Sequence, residues 1–172
     1  MSADYILDLD RISKPILTHH KATIVLITPA PPRAVRRFVQ QSSLSIPVFS
    51  DAPRSLYTAL NMNFRFDSKL EYRVSSRHVR TTVPEAWVKG FVKGVTEGLQ
   101  GDPRQQGGSF VLGPALRTCT FAHFDRFNAD HVPIPDLLTA VGIPDWREVG
   151  AFKYWDEMTE EEKAVVKDRR SK

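Results

Sequence analysis

Hydrophobic and polar positions along this chain follow two periods in turn. Stripes with a period near 3.6 residues predict amphipathic helices, and short β-branched runs predict strands. The predicted helices cover residues 2–12, 13–19, 33–41, 51–60, 85–99 and 136–141. The predicted strands cover residues 22–27, 46–49, 109–112 and 116–124. This alternation predicts an α/β fold built of packed layers.

The sequence also predicts how one strand is buried and how two others pair. Residues 22–27 form a continuous apolar run without polar alternation, which predicts a strand covered on both faces. That run ends before a proline-rich segment, because proline cannot continue a central ladder. Residues 109–112 and 116–124 flank Gly113-Pro114-Ala115, a turn short enough to make the two strands antiparallel neighbours.

Residues 144–172 differ from the rest of the chain because aromatic residues are dense there. Trp146, Phe152, Tyr154 and Trp155 predict that this tail packs onto the body of the protein or onto a partner subunit, with the body favoured. Thr159 and Glu162 have the spacing of a capping box for a last helix. We therefore predict a domain over residues 1–143 and an aromatic-rich helical extension over residues 144–172.

Composition narrows the class of protein. The chain has 172 residues, a net charge of +4 and one cysteine, Cys119. A lone cysteine cannot form an internal disulfide, which excludes a disulfide-stapled secreted domain and favours a cytoplasmic protein. No apolar run approaches the 18 or so residues that a membrane helix needs, so no membrane partner is expected.

A basic stretch with interleaved aromatic residues lies between residues 63 and 82. Such a stretch can bind nucleic acid by phosphate neutralisation and base stacking. We favour a solvated basic face instead, because no nucleic-acid-binding motif accompanies the charge. The stretch contains Phe64, Arg65, Phe66, Lys69, Tyr72, Arg73, Arg77 and Arg80.

Several short motifs together resemble one known family. They are IPVFSD at residues 46–51, RSLYTAL at 54–60, QQGGSFVLGP at 105–114 and HFDR at 123–126. The chain thereby resembles the peroxiredoxin-like branch of the alkyl hydroperoxide reductase and thiol-specific antioxidant (AhpC/TSA) family. The resemblance covers most of residues 1–143 and is most specific in the glycine-rich segment.

The resemblance implies a thioredoxin-like three-layer fold with a thiol centre of the C-x-x-C type. Such a thiol lies at the start of a helix, where the helix dipole lowers its pKa. Ser2 falls where the second cysteine would lie, and the first cysteine and the central strand before it would precede Met1. We therefore expect a fold that lacks its usual first central strand and a chain that is redox-inactive in this form.

The missing strand would lie between the strands at residues 22–27 and 109–112. Unpaired strand edges are costly, so we expect direct pairing of those two strands or a strand borrowed from a second chain, which makes a homodimer a candidate assembly. Cys119 lies within a predicted strand, and we expect it to pack as a small apolar side chain rather than to react.

The topology that the resemblance implies brings several loops to one end of the sheet. A small anionic or polar ligand is predicted there, since glycine backbone and cationic side chains favour anions. The candidate residues are Arg33, Gly107, Gly108, His123, Arg126 and His131.

Alternative roles for the same end of the sheet remain open. His123 or His131 could act as a general acid or base without cysteine, or the domain could bind a partner. Asp130 and His131 also fit turn and capping roles before the helix at 136–141, which we favour. No clustered cysteine and histidine spacing indicates a metal site, and no cofactor is predicted.

Overall fold

The computed structural model describes residues 3–62, 77–78, 105–127 and 130–171. The helices in these ranges are α1 (Ala3–Asp10), α2 (Lys14–His19), α3 (Pro32–Ser42), α4 (Ser55–Ala59), α5 (Ile134–Ala140) and α6 (Glu160–Ser171). The strands are β1 (Leu26–Thr28), β2 (Val48–Ser50), β3 (Gly108–Leu112) and β4 (Cys119–Phe124). This order confirms the predicted α/β, thioredoxin-like fold. The helix predicted over residues 85–99 lies outside the described residues.

The four strands form two separate two-stranded sheets. β1 pairs with β2 in parallel, with Ile27 opposite Phe49, and β3 pairs with β4 in antiparallel register, with Ser109 opposite His123. In the described part of the chain, no pairing joins β1 to β3. Direct pairing of the strands predicted at residues 22–27 and 109–112 is therefore absent from the described part of the chain.

The prediction that the first strand is covered on both faces was wrong. β1 is shorter than predicted, and the residues leading into it alternate between half-buried and exposed. Leu26 faces the core, whereas Val25 and Ile27 are exposed on the other face. A parallel strand is buried on both faces only where helices cover both, and here the described core lies on one face only.

Several helices and strands begin at residues other than the predicted ones, and local interactions explain some of these differences. The carboxylate of Asp51 accepts hydrogen bonds from the amides of Ser55 and Leu56, at 2.9 Å each, so α4 begins at Ser55. β4 begins three residues later than predicted, because Ala115 and Leu116 adopt positive φ angles in a short 3₁₀ turn. α5 begins at Ile134 rather than at residue 136.

The aromatic tail packs against the same core as α1. Phe152 and Tyr154 are buried in one hydrophobic cluster with Tyr5 and Ile134, and Trp146 packs on its border. The Ser13 amide donates to the Ala151 carbonyl at 2.9 Å, which fixes the tail beside the end of α1. The division of the chain into residues 1–143 and 144–172 stays a prediction.

The last helix begins with the predicted capping box. The Thr159 hydroxyl accepts the Glu162 amide at 3.2 Å, and the Glu162 carboxylate accepts the Thr159 amide at 2.8 Å. Two of the backbone amides at the helix start are thereby satisfied.

Truncation of Phe152 tests whether the tail is part of the core. We expect Phe152→Ala to lower the free energy of unfolding by about 3 kcal/mol, because it empties a buried aromatic site. The matched control is Phe49→Ala, which removes the same ring from an exposed position and should change stability by less than about 0.5 kcal/mol. Urea unfolding of both variants makes the comparison, and equal losses would contradict a docked tail.

Candidate functional site

A buried polar cluster surrounds Tyr5 of α1. The inward face of α1 carries Tyr5 and Leu9, and the Tyr5 side chain is fully buried. Its hydroxyl donates to the Val132 carbonyl at 2.7 Å. Its ring stacks on His131 with 4.7 Å between centroids and meets His78 edge-on at 5.2 Å. Tyr5 therefore joins α1 to the segment before α5 and to residue 78.

The hydroxyl of Tyr5 stays protonated and therefore acts as a hydrogen-bond donor. Burial raises the pKa of the Tyr5 phenol above its ordinary value, and a side-chain hydrogen bond with Ser109 of β3 opposes the rise. The phenol thus stays protonated near neutral pH and also reaches the hairpin of β3 and β4. A buried donor of this kind is costly to leave unpaired, so its partners are held in place.

Asp8 and His78 form the second part of the cluster. Asp8 Oδ2 lies 3.0 Å from His78 Nδ1, and both side chains are 1% exposed. The other carboxylate oxygen of Asp8 accepts from Arg11 at 2.6 Å, so the buried charge has a cationic partner. The Ile134 amide donates to His78 Nε2 at 3.3 Å, so Nδ1 carries the proton that it donates to Asp8.

Asp125 holds the third part of the cluster, directly after β4. Its two carboxylate oxygens lie 3.4 Å from His131 Nδ1 and 3.6 Å from His123 Nε2. The Asp125 amide donates to the Gly107 carbonyl, and Gln106 Nε2 donates to the Asp125 carbonyl, both at 3.0 Å. The carboxylate is thus fixed between two imidazoles.

Gly107 lies close against this carboxylate. A Cβ atom on Gly107 would lie 2.5 Å from Asp125 Oδ2, closer than a van der Waals contact allows. Within the glycine-rich segment, Gly107 therefore allows close packing against Asp125.

Two groups in this region have shifted pKa values with clear causes. Burial lowers the pKa of His131 below its ordinary value, and its hydrogen bond to Asp125 only partly opposes the shift. Burial would raise the pKa of Asp130, but hydrogen bonds from the side chain and backbone of Arg126 outweigh it and lower that pKa. His131 is therefore kept neutral and Asp130 is kept charged near neutral pH.

The structure brings only some of the predicted ligand residues together. Gly107, His123 and His131 surround Asp125, and Gly108 lies opposite Phe124 in the hairpin. Arg126 is exposed and pairs with Asp130 at 2.9 Å, and this ion pair competes with the predicted contact between Arg126 and an anionic ligand. Arg33 is exposed in the first turn of α3, and within the described ranges no recorded contact joins it to the others.

The predicted turn role holds for Asp130 and not for His131. Asp130 Oδ2 accepts the Arg126 amide at 2.9 Å and so closes the turn after β4. His131 instead packs on Tyr5, and α5 begins behind Pro133 without a side-chain cap. His131 therefore makes no capping hydrogen bond at the start of α5.

Sequence reasoning missed Tyr5, Asp8 and His78 as members of this cluster. One signal was present for Asp8, because an aspartate three residues after Tyr5 and four before Ile12 lies on the apolar face of α1. A charged residue on a buried helix face predicts a buried partner. No local pattern identifies His78 as that partner, because it is 70 residues away in sequence.

The prediction that Cys119 is buried was wrong. Cys119 is the first residue of β4 and is exposed, and its Sγ contacts the Phe121 carbonyl oxygen at 3.1 Å. Strand β4 runs from Cys119 toward Asp125, so the thiol and the polar cluster are separated by about six residues of extended chain, roughly 20 Å. The late start of β4 leaves Cys119 at the hairpin end, where neighbouring elements do not cover it.

Arg77 is the one described member of the basic stretch between residues 63 and 82. It pairs with Asp156 at 2.6 Å and with Glu157 at 3.2 Å, and its guanidinium lies 3.9 Å from the Tyr154 ring centroid. Arg77 is thus engaged by the tail rather than presented to a phosphate. The other basic residues of that stretch lie outside the described residues.

Among residues 3–62, 77–78, 105–127 and 130–171, no group of three or more His, Cys, Asp or Glu side chains is arranged to hold a metal ion. In the same ranges, no helix combines the length and the apolar character needed to cross a bilayer.

Comparison with known proteins gives one consistent answer. A family model described as AhpC/TSA antioxidant enzyme matches residues 8–126. Peroxiredoxin-like 2C of Bos taurus is 30% identical over 143 residues, which cover 81% of this chain and 61% of that protein. Peroxiredoxin-like 2C of Homo sapiens is 29% identical, with 81% and 62% covered. The chain thus spans less than two thirds of these relatives, and no solved structure matches it.

The buried His131 predicts a pH dependence of stability. An unfolded histidine titrates near pH 6.5, whereas folded His131 titrates lower, so the unfolded state binds more protons between the two values. Stability is therefore fully present above about pH 6.5 and falls as the pH is lowered through that window. We expect His131→Asn to flatten this fall, as followed by urea unfolding between about pH 5 and pH 7.5. The control His19→Asn alters an exposed histidine and should keep the wild-type slope; equal slopes in all three proteins would reject the assignment.

Proposed function

Because the chain belongs to the AhpC/TSA antioxidant enzyme family, we propose that its 172 residues form a peroxiredoxin-like domain without thiol peroxidase activity of its own. The observation that carries this proposal is the position of Cys119, the sole cysteine, on an exposed strand at the hairpin end. Peroxide reduction in the family needs a thiolate at a helix start, and α1 offers no cysteine for that role.

The surroundings of Cys119 support the same proposal. A reactive cysteine needs a helix N-terminus, a cation or a general base close to its sulfur. The contact recorded for Cys119 Sγ is instead a carbonyl oxygen, which offers no stabilisation to a thiolate. The imidazoles that could act as bases lie at the far end of β4.

The arrangement of His123 and His131 gives little support to general acid or base catalysis without cysteine. The His131 side chain is 2% exposed and packed on Tyr5, so a substrate has no contact with its ring. His123 is half-buried, and its Nε2 already lies 2.8 Å from the Asp130 carbonyl oxygen. We propose that these groups hold the fold together rather than transfer protons.

Binding of a small anionic or polar ligand is the second candidate function. It is supported by the position of Arg126 and His123 near the same end of the hairpin, where Arg126 is exposed. The ion pair of Arg126 with Asp130 does not strongly oppose ligand binding, because an exposed pair contributes only about 0 to 1 kcal/mol.

We also propose that the protein is cytoplasmic, because its lone cysteine cannot form an internal disulfide.

Peroxide turnover tests the proposed lack of redox activity. We expect the purified chain, with dithiothreitol as electron donor, to consume hydrogen peroxide no faster than Cys119→Ser does. The reason is that neither protein carries a thiolate in an activating position. Steady turnover by the wild-type chain that is lost in Cys119→Ser would overturn the proposal, provided that both proteins give the same circular dichroism spectrum.

A further inference from the structure

The parallel ladder between β1 and β2 ends at a proline. The Leu26 amide donates to the Pro47 carbonyl at 2.9 Å, and Leu26 lies opposite Val48. The preceding rung would join the Ile24 carbonyl to an N–H at position 47 and the Ile24 amide to the Ser45 carbonyl. Proline has no N–H, so the first of these bonds cannot form. Within the described residues neither bond is present, and the backbone of the half-buried Ile24 has no hydrogen-bond partner.

A groove lies beside this break in the ladder. It has a volume of about 210 Å³ and is bounded by the C-terminal end of α1, by α2 and by the segments that lead into β1 and β2. Its apolar lining includes Leu9, Ile12 and Leu17, which belong to the hydrophobic core. Every lining residue falls in the ranges 9–24 and 45–47, which the structure describes. At about 30 Å³ for a group the size of a water molecule, the groove has room for roughly seven non-hydrogen atoms.

Lys14 is the sole charged side chain in the lining of this groove. Its Nζ lies 3.5 Å from the Ser45 carbonyl oxygen, which is a long and weak hydrogen bond. Among the described residues, Lys14 forms no ion pair with a carboxylate. Asp10 is the carboxylate that competes for Lys14, but its Oδ1 instead accepts the amides of Ser45 and Ile46. Lys14 Nζ and the Ile24 amide are therefore two donors beside an apolar surface, and a carboxylate has acceptors for both.

We propose that this groove binds a small aliphatic carboxylate. The carboxylate accepts hydrogen bonds from Lys14 Nζ and from the Ile24 amide, which thereby gains the partner that the ladder does not supply. The aliphatic chain packs on Leu9, Ile12 and Leu17. Isovalerate, which has two oxygens and five carbons, fills a groove of about this size. The groove shares no residue with the hairpin of β3 and β4, so the inference is independent of the proposed functions.

Titration of isovalerate into the isotope-labelled protein, followed by amide chemical shifts, tests the site. We expect a saturable shift of the Ile24 amide with a dissociation constant of about 1 mM, as for a ligand of this size in an open groove. Acetate should bind at least about tenfold more weakly, because it lacks the chain that contacts the apolar lining. The neutral isostere isovaleramide should also bind more weakly, because it pairs less strongly with Lys14. No saturable shift of Ile24, or equal affinity for acetate and isovalerate, would overturn the proposal.

Two lysine substitutions locate the carboxylate. Lys14→Met keeps a side chain of similar length and removes the charge, so we expect isovalerate to bind about five- to tenfold more weakly. The affinity for isovaleramide should be almost unchanged in the same variant. The matched control is Lys21→Met, which removes an exposed lysine outside the groove and should bind isovalerate as the wild type does.

Two results with these variants contradict the proposal. Unchanged affinity for isovalerate in Lys14→Met would place the carboxylate elsewhere, and equal losses in Lys14→Met and Lys21→Met would show a general effect of charge. If Lys14→Met fails to fold, the comparison of isovalerate, isovaleramide and acetate on the wild-type protein decides.

Discussion

The buried side chain of Tyr5 holds together parts of the protein that strand pairing does not join. Its hydroxyl bonds the Val132 carbonyl, and its ring lies against both His131 and His78. On the other side of α1, Asp10 Oδ1 accepts the amides of Ser45 and Ile46 at 2.9 and 3.0 Å, just before β2. A short helix thus connects the segment that follows β4 to the segment that precedes β2, which matters because the described strands of the two sheets do not pair with each other.

This arrangement explains why polar side chains are dense around Tyr5. Each buried polar group must find a partner, so Asp8 takes Arg11 and His78, while Asp125 lies between His123 and His131. The buried polar groups at the centre of the cluster are thus paired with side chains of the protein itself. The chain can therefore belong to the family without a cysteine at the start of α1. Packing and polar contacts maintain the fold, and the reacting cysteine is not needed for that.

Local sequence patterns predicted the features that depend on local physics. The element order, the capping box at Thr159 and the cluster membership of Phe152 follow from periodicity, cap chemistry and aromatic density. Features that depend on distant partners could not be predicted. Burial of β1 on one face depends on which helices cover it, and the position of His78 depends on Asp8. Cys119 was misjudged because the turn before β4 shifts the strand start and exposes it.

Amide hydrogen exchange in Tyr5→Phe tests most directly whether α1 couples the two sheets. The substitution leaves the Val132 carbonyl without its donor, at a cost of about 1 to 3 kcal/mol, or roughly a five- to 150-fold loss of protection. The account predicts that the amides between β1 and β2 and those between β3 and β4 lose protection by the same factor. Wild-type protection between β1 and β2, together with a loss confined to β3 and β4, would contradict it.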